Sequence, residues 1–211
     1  MAQPARSKML NSTDSPVEGT HTVKVWDVSV RVFHWSTAAL VFVAYFTTGG
    51  ARAVHFDAGY IVLGLAILRI IWGLIGSHHA RFTSFVRGPR EVLAYLRSLH
   101  VGQARRYLGH NPAGAAMIVL ILMLLIIVPV SGWLSTTDAY FGVPWVDHLH
   151  HMSGNLLMIL VGVHVCGVIV SSYLHRENLL LAMITGRKRR VLATEAQGEH
   201  QFASFARGNL R

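Results

Sequence analysis

Four stretches of this chain are almost free of charge, and each is long enough to cross a lipid bilayer. No Asp, Glu, Lys or Arg occurs from Val32 to Ala51, from Tyr107 to Thr137 or from His148 to His175, and the run from Ala58 to Ala80 is broken only by Arg69. About 20 mainly apolar residues suffice for a spanning helix, which satisfies its own backbone inside hydrocarbon. Charged residues make up 14% of the 211-residue chain, against about 25% in soluble domains. The expected fold is an all-α membrane protein, a bundle of four transmembrane helices. It occupies residues 23–190, between polar tails at 1–22 and 191–211.

The remaining charges orient the bundle. Between the second and third runs lie Arg81, Arg87, Arg90, Arg97, Arg105 and Arg106 against the single acid Glu91, and after the fourth come Arg176, Arg187, Lys188, Arg189 and Arg190. The other two connections hold only Arg52 as a basic residue, with Asp57, Asp138 and Asp147 nearby. The positive-inside rule then puts both termini and the 81–111 segment in the cytoplasm. The net charge of +9 is accordingly a topology and lipid-headgroup signal, and no nucleic-acid partner is expected.

Local signals refine this picture. "GPREVLAYLRSLH", with Pro89 at its start and Val92, Leu93, Leu96 and Leu99 at helical spacing, predicts an amphipathic cytoplasmic helix between helices 2 and 3. Asn111 and Pro112 are the N-cap and first residue of helix 3, and Pro129 is expected to kink or loosen its outer end. Residues 1–24 contain no apolar signal-peptide core, so helix 1 is expected to target the chain. Cys166, the single cysteine, excludes a disulfide within the chain and any multi-cysteine metal site, and reads as a small buried residue of helix 4.

Ionisable groups inside spans are costly and point to function. Of thirteen histidines, His21, His78, His79, His100, His110, His175 and His200 fall in tails or at cytoplasmic helix ends, where water or headgroups suit them. His34 and His164 lie towards the cytoplasmic ends of helices 1 and 4. His55 and the cluster His148, His150 and His151 begin helices 2 and 4 on the outer side. Two layers of imidazole result. At about 100° and 1.5 Å per residue, His150 lies roughly 40° off the face of His164 and about 21 Å away, whereas His148 and His151 are turned roughly 160° and 140° aside.

Two imidazoles at each depth suit a metal with two open axial positions, as in haem, whose apolar ring fills the space between helices. Zinc or copper would want three or four ligands converging at one depth. Gly49, Gly59, Gly64, Gly73, Gly162 and Gly167 would leave room for a flat ring, although ordinary helix packing accounts for them equally well. Arg69, the one full charge inside a span, either pairs with a haem propionate or snorkels to the inner headgroups.

The segments "VWDVSVRVFHW", "AILRIIWGLIGSHHARFTSFVRGPREVLAYL", "GHNPAGAAM", "LHHMSGNLLMILVGVH" and "HRENLLLAMITGRKRR" occur in this order over about residues 24–190. Together they resemble the bacterial cytochrome b561 family, which includes the cytochrome b subunits of nickel–iron hydrogenases. The resemblance implies a four-helix diheme cytochrome b with bis-histidine ligation by His34, His55, His150 and His164. Where that family commonly has His-Glu at the start of helix 4, this chain has His150-His151, which leaves His151 as a rival outer ligand. Antiparallel depth pairs His34 with His164 and His55 with His150.

The implied function is electron transfer through two b haems in the bacterial inner membrane. Electrons would pass between the quinone pool and a periplasmic cytochrome c or hydrogenase-type partner, and a homodimer is compatible with this. Two other readings stand beside it: a self-contained superoxide:quinone-type oxidoreductase, and a haem-free histidine-lined transporter. The residues leave open whether the chain is an enzyme by itself.

Overall fold

The structure, a computed structural model, describes residues 22–76, 81–101, 111–174 and 176–189. Residues 23–188 form one compact unit. Of the other, comprising 1–22 and 189–211, only the strand ends Thr22 and Arg189 are described. The expected polar tails, Arg105, Arg106 and Arg190, and all of the tail and helix-end histidines except His100 lie outside the described residues, as does the side chain of His100.

Four long helices form the body: α1 (Val28–Phe46), α2 (Arg52–Ile75), α5 (Pro112–Leu134) and α6 (Pro144–Leu174). All four are long and apolar enough to cross a membrane. Two short helices, α3 (Phe82–Phe85) and α4 (Pro89–His100), lie between α2 and α5. Helix α7 (Leu179–Thr185) follows α6, and the strands β1 (Thr22–Lys24) and β2 (Arg187–Arg189) pair in a two-stranded ribbon. Neither the ribbon nor α7 is evident from the long apolar runs, since three-residue strands and a seven-residue helix are too short to register as spans.

Helix limits follow from local chemistry more closely than from the charge-free runs. The Thr47 hydroxyl bonds back to the Val43 carbonyl at 2.7 Å, and Gly49-Gly50 then breaks α1. Pro112 opens α5 with a missing N–H that the first turn does not need, and the Asn111 side chain accepts from Gly114 N at 2.7 Å. Pro144 likewise opens α6. Helix α5 continues through Pro129, and the Ser131 hydroxyl bonds to the carbonyls of Ile127 and Val128 in the preceding turn.

Helix α2 packs against α1 and α5, and α5 packs against α6. The mid-depth core joins Val41, Val62, Ala66, Leu122, Leu124, Leu125 and Leu157. Lipid supplies no hydrophobic drive between spanning helices, so cohesion comes from close packing, which buried small residues such as Ala58, Ala66 and Ala115 permit. Leu68, Ile159 and Ile169 turn outward, as lipid-facing residues should. Cys166 is exposed there too, contrary to expectation: an outward helix face in lipid is as hospitable to a thiol as a core. In α4, Tyr95 is buried and Val92 half-buried, while Leu93 and Leu96 remain exposed as an outer apolar face.

A clasp closes the end of the bundle where α1 starts and α6 ends, called proximal below. Gly186 ends α7 with φ 78°, and its carbonyl accepts from Val25 N at 2.8 Å and Trp26 N at 3.1 Å. The Arg31 guanidinium donates to the Ile184 carbonyl. The approach to α1 is thereby tied to the segment that follows α6.

Candidate functional site

The distal end of the bundle, opposite the clasp, brings together His55 from the first turn of α2 and His150 from the second turn of α6. Their ring centroids are 6.0 Å apart, with the rings nearly perpendicular at 85°. Each ring is held by a backbone carbonyl from a neighbouring helix. His55 Nδ1 lies 2.8 Å from the Ala44 carbonyl of α1, and His150 Nδ1 lies 3.0 Å from the Val128 carbonyl of α5. A carbonyl only accepts, so in both rings Nδ1 carries the proton and donates it. Nε2 is therefore the nitrogen with a lone pair to offer. Ser131 Oγ lies 3.5 Å from the same Nδ1 of His150.

These rings border a cavity of about 610 Å³. Its floor includes the core residues Val41, Val62, Leu125 and Leu157, and Arg52, Thr48 and Asn155 add polar groups. His151 also lines it, but its ring is exposed and is placed 5.7 Å from that of His150. His148 is exposed as well.

At the proximal end, His34 of α1 faces His164 of α6, with centroids 6.3 Å apart and planes at 55°. Their two helices are not among the closely packed pairs of the bundle. The imidazoles thus meet between two helices that are not closely packed along their length. His34 Nδ1 and Thr37 Oγ1, one helical turn on, are buried without a hydrogen-bond partner among the described residues.

Arg69 is buried, with its guanidinium carbon 5.1 Å from the centre of the Phe82 ring. Gly73 makes room for that ring, since a Cβ there would overlap it. A snorkelling side chain would end exposed; this one is covered by an aromatic face.

Ring spacing tests whether a metal fits between each pair. A metal–imidazole bond of about 2 Å on either side, with roughly 1 Å from nitrogen to ring centre, separates two ring centres by about 6 Å across one ion. Both pairs meet that requirement. Among the described residues no group of three His, Cys, Asp or Glu side chains converges. The donor set is therefore two neutral nitrogens at each level, which suits haem and not a protein-only zinc or copper centre.

A family profile decides the class: prokaryotic cytochrome b561 matches residues 25–186, through all four spans. The chain belongs to the prokaryotic cytochrome b561 family. It is a multi-pass membrane cytochrome b that serves electron transfer. Among curated proteins, this cytochrome is 24% identical to one from Bradyrhizobium diazoefficiens (81% of this chain and 87% of the other). It is 26% identical to one from Rhodobacter capsulatus (79% and 81%), and 27% identical to one from Cupriavidus necator (77% and 85%). Each of these is named "Probable Ni/Fe-hydrogenase B-type cytochrome subunit". No solved structure matches the chain significantly.

Several groups around the histidines of this cytochrome b561 are not evident from sequence. The carbonyls of Ala44 and Val128 have no sequence signature, since every residue carries one. Gly132 approaches the His150 ring, and Phe82 covers Arg69. The nearest available signal is "PVSGW", in which polar and small residues follow a proline inside an apolar run.

Proposed function

We propose that this cytochrome b561 holds two b haems, one between His34 and His164 and one between His55 and His150, and that it carries electrons across the bacterial inner membrane. The observation that carries this reading is the repetition of one spacing, 6.3 Å and 6.0 Å, at two depths of a single bundle. Bound haem iron supplies one-electron chemistry, alternating between ferric and ferrous. The imidazoles of the two pairs would hold the haem iron, the Ala44 and Val128 carbonyls fixing the distal tautomers, with an apolar core between the two levels. Arg69 on α2, and Arg52, which lines the distal cavity, are cations of a kind that pairs with haem propionates.

Arg81, Arg87, Arg90 and Arg97, which follow the proximal end of α2, are exposed, which supports a cytoplasmic proximal end and cytoplasmic termini. The functional domain is then residues 23–190. The printed names of the relatives favour a hydrogenase-type partner over a cytochrome c, with quinone as the other redox partner. Family membership sets aside the haem-free transporter.

A pyridine-haemochrome assay on the purified protein tests the reading. Two b haems per chain are expected, falling to one in His164→Ala and one in His55→Ala. A ratio near one in the unaltered protein would refute it.

A further inference from the structure

We propose that Thr37 is the positioning residue of the proximal imidazole: in the haem-loaded protein its hydroxyl accepts the Nδ1–H of His34 and so commits Nε2 of that ring to the metal. This rests on the two-haem reading above and adds to it a residue that is not itself a ligand.

The inner face of α1 carries His34, Thr37 and Val41 at intervals of three and four residues, which sets them one above another along the helix. Thr37 and Val41 are the buried residues of α1, and Val41 belongs to the mid-depth core. Helical side chains lean towards the N-terminus, so Thr37 leans back over the turn that carries His34.

A hydroxyl inside a helix ordinarily bonds to a carbonyl three or four residues earlier. The other buried hydroxyl residues among those described do this. Ser131 bonds to the carbonyls of Ile127 and Val128, and Ser153 to those of Leu149 at 2.6 Å and His150 at 3.1 Å. Thr37 does not. At 6% exposure it is more than nine-tenths buried, and its Oγ1 has no partner among the described residues. Nδ1 of His34, one turn away on the same stripe, is also buried and unpartnered there. Leaving such atoms unpaired is costly, and a ring N–H and a hydroxyl oxygen satisfy one another.

The distal level shows what this pairing replaces. His150 and Ser153 stand at the same three-residue interval on α6 as His34 and Thr37 on α1. There the ring already has the Val128 carbonyl at 3.0 Å, and the Ser153 hydroxyl is taken up by its own helix. His55 has the Ala44 carbonyl at 2.8 Å. His34 has no such carbonyl among the described residues, and the hydroxyl beside it is uncommitted. A ligating histidine needs an acceptor at its other nitrogen to fix tautomer and ring orientation. Thr37 supplies it from within α1.

The test compares Thr37→Val with Thr37→Ser in the haem-loaded full chain in detergent. Valine keeps the shape and removes the hydroxyl, whereas serine keeps the hydroxyl. Haem per chain is measured by pyridine haemochrome, the state of each haem by its low-spin ferric electron paramagnetic resonance signal, and retention by the rate of haem transfer to excess apomyoglobin. His164→Ala and His55→Ala assign the two signals to their levels. Thr37→Val should shift the proximal signal, leave the distal one in place and release the proximal haem about 10–100-fold faster. Thr37→Ser should restore both the signal and the slow release. Complete loss of the proximal haem in Thr37→Val and its return in Thr37→Ser would bear the proposal out equally.

A hydroxyl without a partner in the loaded protein would give the opposite result, since replacing it with a methyl group then removes a desolvation cost. Unchanged signals and release in Thr37→Val, with an equal or higher melting temperature, would overturn the role of Thr37 and leave the two-haem reading intact. So would equal damage in the serine and valine variants. One haem per chain in the unaltered protein would overturn the two-haem reading and the role of Thr37 with it.

Discussion

Gly132 of α5 faces the ring of His150 so closely that a Cβ at that position would lie 2.9 Å from Cε1 and 3.1 Å from Nδ1. The ring cannot retreat without giving up its bond to the Val128 carbonyl, four residues earlier on the same helix. One missing side chain therefore lets α5 both approach the imidazole and orient it.

Gly132→Ala should accordingly displace His150. Overpacking of this kind costs about 1–3 kcal/mol, and here it falls on a proposed ligand position. Haem content should drop towards one per chain, with the loss at the distal level. Gly88→Ala is the control, because a Cβ there meets nothing within 4 Å and the residue lies outside the spanning helices, and it should leave haem content unchanged.

The neighbouring histidines can be separated by the same assay. His150 alone of the cluster has its ring bonded to a carbonyl and paired with His55. His151→Ala and His148→Ala should each retain two haems, while His150→Ala retains one. A normal ratio in His150→Ala together with loss in His151→Ala would transfer the distal role to His151.

The clasp is open to a similar test. Gly186 adopts φ 78°, and a Cβ would come 2.8 Å from the Trp26 carbonyl. A left-handed conformation costs a non-glycine residue roughly 1–2 kcal/mol, and the clash adds to that. Gly186→Ala should loosen the tie between the approach to α1 and α7. It should lower the melting temperature and release the proximal haem before the distal one on heating, followed by their separate absorbance changes.

Asn111→Ala removes the side chain that caps α5 through Gly114 N. The expected cost is about 1 kcal/mol. Because the cap lies far along α5 from Gly132 and Val128, the melting temperature should fall with no change in haem content.

Much of this architecture was legible before any coordinates. Hydrocarbon demands long uncharged runs, so the spans announce themselves, and the only ambiguity is the few residues at each end that Asn111, Thr47 and Pro144 decide. Residue count gave His150 the preferred angle over His148 and His151, with His151 kept as a rival, and its ring is the one that lies beside His55. The carbonyls of Ala44 and Val128, the space at Gly132 and the Phe82 cover on Arg69 were not legible. Each depends on which helix lies beside which, and no single run of sequence encodes that. The β1–β2 ribbon escaped for a related reason: three-residue strands from opposite ends of the fold have no period long enough to detect.

Helix α6 alone supplies an imidazole to both levels, and its interior contains no proline between His150 and His164. Inserting or deleting one residue between them would swing one ring by about 100° relative to the other, whereas the connection from α1 to α2 could lengthen without altering either histidine's angle. Length variation is thus tolerable in the loops and forbidden in this fourteen-residue interval, which acts as the indexing segment of the whole molecule.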